Sequence, residues 1–130
     1  MIVVDASAIC AIVLAEPERS DFLECLVLAE QRIISPVNCW EAMISVAKRN
    51  GDATADLVLR LIEAADIRIA SIGSAETALA FEAWKLYGKG RHPAKLNLGD
   101  CFAYGLAKSR NLPLLFKGAD FAMTDVRSAL

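Results

Sequence analysis

The sequence predicts an α/β domain, a parallel sheet of four or five strands with helices on both faces. Three observations carry this. Short apolar runs alternate with longer segments of helical periodicity along the 130 residues, the order that implies right-handed βαβ crossovers. Hydrophobic residues make up 55% of the chain and mean hydropathy is +0.39, which suits a sheet buried on both faces or an apolar contact with another chain. Finally, Asp5, Glu41, Asp100 and Asp120 stand at strand exits and helix starts. In parallel sheets, ligands bind at that edge.

Each element follows from local signals. Ile2 to Val4 is a short buried strand ended by Asp5. Ala6 to Ala15 has helical composition, and Pro17 breaks it or starts the next helix. Between Arg19 and Glu30, Phe22, Leu23, Leu26 and Val27 recur at helical intervals and predict one apolar face. Arg32 to Ile34 is the second strand, closed by Ser35-Pro36. Pro36 to Asn50 reads as a helix with Pro at its start and Gly51 as its stop. Ala53 to Ala65 is another, with Leu57, Leu61 and Ile62 along one side. Ile67 to Ile72 is the third strand. Ser74 caps a helix that runs to Tyr87, with Glu76 in its first turn. Leu98 to Arg110 is the last helix, ending at Asn111. Pro113 to Phe116 is the fourth strand, and the tail from Asp120 to Leu130 offers a fifth. Nothing in the chain reads as a repeat, a low-complexity segment or a linker, so residues 1–130 are expected to form a single domain.

Composition excludes several classes. The longest clean apolar stretch, Ala8 to Ala15, is far short of the ~20 residues a membrane-spanning helix needs. No basic region precedes an apolar one as in a secretory leader, so the expected location is cytoplasmic. Cys10, Cys25, Cys39 and Cys101 form no C-x-x-C pair, and one histidine leaves little for a zinc site. These cysteines read as buried thiols. A single histidine also removes paired-histidine acid–base chemistry. The net charge of −2 gives no global basic field. Locally, Lys85, Lys89, Arg91, His92 and Lys95 crowd one glycine-containing stretch just before Asp100. It is either a solvated loop or a guide for phosphates.

Each acid has a structural explanation beside the functional one. Asp5 is placed to cap the first helix. Asn38-x-x-Glu41 and Asn97-x-x-Asp100 both have capping-box spacing, and Asp120 follows Gly118 as a turn residue would. Capping and metal binding therefore call for the same positions. If the four acids converge, their mutual repulsion favours a divalent cation among them, and hard carboxylate oxygens suit Mg²⁺ or Mn²⁺.

The segments around these acids resemble a known family. Val4-Asp5-Ala6-Ser7-Ala8 is similar to the opening motif of PIN-domain nucleases, closest to the VapC-type toxins of bacterial toxin–antitoxin modules. Ser35-Pro36 followed by Glu41 resembles the second motif. Leu96 to Tyr104, with Asn97-Leu98-Gly99-Asp100 at its centre, resembles the third, and Leu114 to Asp125 the last segment of one subgroup. The resemblance implies a PIN-like fold and metal-dependent hydrolysis of RNA with Mg²⁺ or Mn²⁺. Asp5 and Asp100 match its principal metal ligands and Glu41 its third acid. Asp120 fits the fourth position, with Asp125 as the nearby alternative. Ser7 matches a hydroxyl that supports the pocket. The resemblance further implies a homodimer and a cognate antitoxin whose tail enters the acidic groove. Lys85, Lys89, Arg91 and Lys95 are then candidates for RNA phosphates. Two other classes stand as alternatives: a receiver-like, Mg²⁺-binding signalling domain with Lys117 as its strand-end lysine, and a non-catalytic interaction module whose acids are all caps.

Overall fold

The computed structural model describes all 130 residues, and its centre is one sheet of four parallel strands. These are β1 (Ile2–Val4), β2 (Arg32–Ile34), β3 (Ile67–Ile69) and β4 (Leu114–Leu115), laid out in the order β3-β2-β1-β4. Val3 pairs with Ile33 on one side and with Leu114 on the other. The central strand shows the two-residue period of a strand buried on both faces. Ile2 and Val4 enter one apolar core, and Val3 between them enters the other.

Four helices build the first core: α1 (Ala6–Val13), α2 (Arg19–Leu28), α3 (Pro36–Asn50) and α4 (Ala55–Ala64). The second lies under α5 (Ser74–Tyr87) and α6 (Leu98–Arg110). These two helices pack closely because Gly105 has no side chain. A Cβ there would stand 2.7 Å from the Glu76 carbonyl oxygen. From β1 the chain steps outward to β2 and β3, then returns to place β4 on the far side of β1. That reversal opens a crevice between the carboxyl ends of β1 and β4. It is also not the 2-1-3-4-5 order of receiver domains, which removes that alternative at the level of topology.

The structure corrects several expected details. The tail adds no fifth strand. It makes a short helical turn at Phe121–Met123 and then one parallel bridge, with Leu114 N–H donating to the Arg127 carbonyl at 2.8 Å and Ala129 N–H to that of Leu114 at 2.9 Å. The first helix stops at Val13 because Ala15 takes a left-handed φ of 54°. Gly73, not Ser74, precedes the first turn of α5, and its N–H donates to the Glu76 carboxylate at 2.9 Å. Val27, expected on the apolar face of α2, is 77% exposed, since that helix docks through Phe22 and Leu26 one turn apart. Likewise α4 buries Val58 and Ile62 and leaves Leu57 exposed. Cys10, Cys39 and Cys101 are buried thiols, as expected, while Cys25 is half-buried. No helix is long and apolar enough to cross a membrane.

Candidate active site

Three helices begin beside the crevice, and each brings an acid. Asp5 ends β1 and caps α1. It is only 2% exposed, and its Oδ2 accepts from the Ser7 N–H at 3.0 Å and the Ser7 hydroxyl at 2.6 Å. The same hydroxyl accepts from the Lys117 N–H at 3.0 Å, so Ser7 ties the exit of β4 to the Asp5 carboxylate.

Ser35 ends β2 and caps α3, accepting from the Asn38 N–H at 3.0 Å. Asn38 therefore occupies the third helical position instead of the cap, and the Asn38–Glu41 capping box does not form. Its fully buried side chain has another task. The amide Nδ2 donates to the Gly99 carbonyl at 2.9 Å and, at 3.4 Å, to Asp5 Oδ1. One amide thus joins the start of α1, the first turn of α3 and the first turn of α6. Glu41 lies one turn further along α3, against Gly99: a Cβ at that position would overlap the Glu41 carboxylate. Gly99 thus clears the space this carboxylate fills.

Asn97 caps α6 and forms the expected capping box. Its Oδ1 accepts from the Asp100 N–H at 2.8 Å, and Asp100 Oδ2 accepts from the Asn97 N–H at 3.0 Å. Capping is therefore real for both Asp5 and Asp100. It also sets the positive ends of two helix dipoles, those of α1 and α6, beside Asp5 and Asp100, which offsets part of the repulsion.

Burial outweighs that help. It pushes the Asp5 carboxyl above the usual carboxylate range against its bonds to Ser7. Glu41 is raised by burial first and then by the charge of Asp5. Asp100 is raised to about 7, mainly by burial, then by the charges of Asp5, Glu41 and Asp120. Asp5, Glu41, Asp100 and Asp120 therefore share one electrostatic field. Asp125 stands apart from it. Its carboxylate accepts from the Tyr104 hydroxyl at 2.7 Å and from Lys108 Nζ at 2.9 Å, which hold it below the usual range.

No three acid, cysteine or histidine side chains stand as a ready-made ligand set; one oxygen of Asp5 is turned toward Ser7 and one of Asp100 toward the Asn97 amide. The chemistry nevertheless fits a hard divalent cation. Carboxylates raised by burial, and in Glu41 and Asp100 also by neighbouring acids, are the groups such an ion stabilises in their charged form. Asp5, Glu41 and Asp100 are the residues that could hold it, with Asp120 at the edge.

The basic stretch lies next to this site. Lys89 N–H donates to the Leu96 carbonyl and Leu96 N–H to that of Tyr87, each at 3.0 Å, which holds the loop against the start of α6. Lys85 is paired with Glu82 at 2.5 Å, and Arg91 stacks on Trp84 at 4.0 Å. Lys89 and Lys95 are exposed. Lys117 is held by Glu16 and Glu18 and does not play a receiver lysine's part. Sequence reasoning missed Asn38 and Gly99 as site residues. The signals available were Ser35-Pro36 opening a helix with an amide at its third position, and a helix-weakening glycine in the first turn of α6.

A family model for the PIN domain matches residues 2–126. The chain is 36% identical to Ribonuclease VapC30 of Mycobacterium tuberculosis over 124 residues, 95% of each chain. It is 37% identical to Ribonuclease VapC42 of the same organism over 128 residues, 98% of each. Two solved structures share the fold at low identity. VapC20 of Mycobacterium tuberculosis, described as a sarcin-ricin loop cleaving toxin, superposes with a TM-score of 0.78 at 14% identity, covering 97% of this chain and 96% of that one. A toxin–antitoxin complex from Klebsiella pneumoniae gives 0.69 at 19% identity, with 96% and 93% covered. The match over nearly the whole length, together with relatives above 35% identity, means that this chain belongs to the PIN domain family, among the VapC ribonucleases.

Proposed function

We propose that the chain is a divalent-metal-dependent endoribonuclease, the toxin of a toxin–antitoxin pair, working with Mg²⁺ or Mn²⁺ at Asp5, Glu41 and Asp100. The observation that carries this reading is the gathering of acids at the sheet's switch point: one buried amide, Asn38, bonds both Asp5 and the first turn of α6 that carries Asp100, and Glu41 fills the space Gly99 leaves beside them. When bound, the cation lowers the pKa of water and offsets charge on the phosphoryl oxygens. The chain's own residues hold and orient. Asp5 and Asp100 are the main ligands, and Glu41 is the third. Asp120 borders the site and adds negative charge. Ser7 and Asn38 fix the Asp5 carboxylate between them. Lys89, Arg91 and Lys95, with Lys85 where Glu82 releases it, meet the RNA phosphates and draw the strand past acids that would otherwise repel it.

Partners follow from the same reading. The relatives are ribonucleases, which supports an RNA substrate, and the Klebsiella neighbour is described as a toxin–antitoxin complex, which supports a cognate antitoxin. A homodimer belongs to the proposal as well. It is supported by large apolar side chains left at the surface, such as Val27 and Leu28 at 77% and 76% exposed. The proposed location is the cytoplasm, where RNA and antitoxin are found together.

The test is cleavage of total RNA with and without Mg²⁺ or Mn²⁺, with product ends mapped. Asp5→Asn and Asp100→Asn proteins, verified as folded by circular dichroism, are expected to lose at least a hundredfold in rate. A folded Asp5→Asn protein that cleaves at the wild-type rate overturns the assignment. Replacing Lys85, Lys89, Arg91 and Lys95 together by glutamine is expected to weaken RNA binding and flatten its salt dependence. An unchanged salt slope would return the loop to ordinary solvated surface.

A further inference from the structure

Beside the acids, α5 and α6 leave aromatic and apolar surface in the open. Phe81 is 55% exposed and Leu98 68%. With Trp84, Lys89, Leu96 and Phe102 they line a cleft of about 430 Å³, within the size range of small-ligand sites. Asn97, the cap of α6, also lines it, so the cleft lies within one helical turn of Asp100. Phe81 and Trp84 stack with centroids 5.7 Å apart at 19°. Lys85 Nζ is 5.2 Å from the centre of the Phe81 ring, and the Arg91 guanidinium 4.0 Å from that of Trp84. No acid lines the cleft. Glu82 pairs with Lys85, which leaves Lys89 and Arg91 as the charges facing outward.

We propose that this cleft is a nucleobase-binding subsite. An unpaired base of the RNA strand stacks in the cleft beside Phe81, against the Arg91 guanidinium plane that lies on the Trp84 ring, while Lys89 holds a flanking phosphate. The inference rests on the ribonuclease reading and adds to it a fixed position for one base near the acids. Stacked aromatics with cations at their faces are what single-stranded nucleic acid uses. Every base presents a π-face, every linkage presents a negative charge, and a guanidinium plane is itself a stacking surface. Charge also selects this occupant over a second copy of the chain. A two-fold contact sets a patch against itself, which would bring Lys89 and Arg91 of both copies into one contact with no acid lining the cleft to offset them. Like charges so placed are repelled.

The test uses the full chain and a single-stranded oligoribonucleotide containing a site mapped in total RNA. Phe81→Leu and Trp84→Leu keep apolar bulk and remove the aromatic faces. Each is expected to raise KM about tenfold with kcat within about twofold. Single abasic positions are then scanned along the oligonucleotide. At one position, loss of the base should raise the wild-type KM by a similar factor and leave the Trp84→Leu KM unchanged, the signature of a shared contact. Wild-type KM for abasic and intact strands alike in both variants overturns the subsite. So does a change in oligomeric state by sedimentation with RNA kinetics unaltered, which would make the face a protein contact. Failure of the ribonuclease reading itself looks different: the wild-type protein would cleave nothing.

Discussion

Asp5 serves two demands that pull in opposite directions. As a cap it satisfies an amide at the start of α1, and as a buried carboxylate it costs free energy when charged. Asp100 shows the conflict in measurable form. The unfolded chain gives up this proton near pH 4, and the folded chain holds it until about 7. Between those values the folded state binds the extra proton, so its stability falls as pH rises. The contribution is fully present below about pH 4 and gone above about 7. In chelator, the thermal midpoint of the wild-type protein is therefore expected to drop from pH 5 to pH 7.5, and that of Asp100→Asn to drop less. At pH 7.5, Asp100→Asn is expected to melt higher than wild type by about 5 °C, the equivalent of roughly 1 kcal/mol. Parallel pH curves for the two proteins in scanning calorimetry would contradict this. The residue scale is also where sequence reading was strongest and weakest. Asp5, Ser7 and Asp100 were legible because their partners lie two or three residues away. Asn38 was not, because the Asp5 and Gly99 groups it bonds are 33 and 61 residues distant.

At the scale of elements, helix ends were easier to read than strands. Pro36 and Gly51 bound α3, and Asn97 and Asn111 bound α6, because caps act within one turn of the chain. A strand of two or three residues carries no such punctuation. Its extent is set by the neighbour it bonds, which is why β3 stops at Ile69 and the tail makes one bridge instead of a strand. The contact of α6 with α3 is the element-level feature that shapes the site. Gly99→Ala is expected to leave the fold intact, since the atom it strikes is the end of the flexible Glu41 side chain. Displacing that carboxylate should weaken Mn²⁺ binding and slow RNA cleavage by tenfold or more. Calorimetric titration that finds wild-type Mn²⁺ affinity in a folded Gly99→Ala protein would show that Glu41 does not depend on this space.

For the whole molecule, two cores on opposite faces of one sheet lock β1 at the centre, so the cation proposed for its carboxyl end would couple to global stability. Because the unfolded chain has no assembled acid cluster, Mg²⁺ or Mn²⁺ at a hundred times its dissociation constant should stabilise the fold by about 2.7 kcal/mol. That shift in thermal midpoint should shrink in Asp5→Asn, and an equal shift in both proteins would place the ion elsewhere. The sequence by itself determined the α/β class, the order of strands and helices along the chain and the four acids at their joints. These depend on periodicity, caps and turn residues, and such signals act within a few residues. Only the tertiary structure decided the strand order β3-β2-β1-β4 and the inclusion of Asp120 rather than Asp125 in the acids' field. It alone revealed the Asn38 amide joining three helix starts, the space Gly99 leaves for Glu41, and the aromatic cleft beside Asp100. Each of these depends on contacts between segments tens of residues apart, which the packing of two cores against one sheet creates and no local pattern encodes.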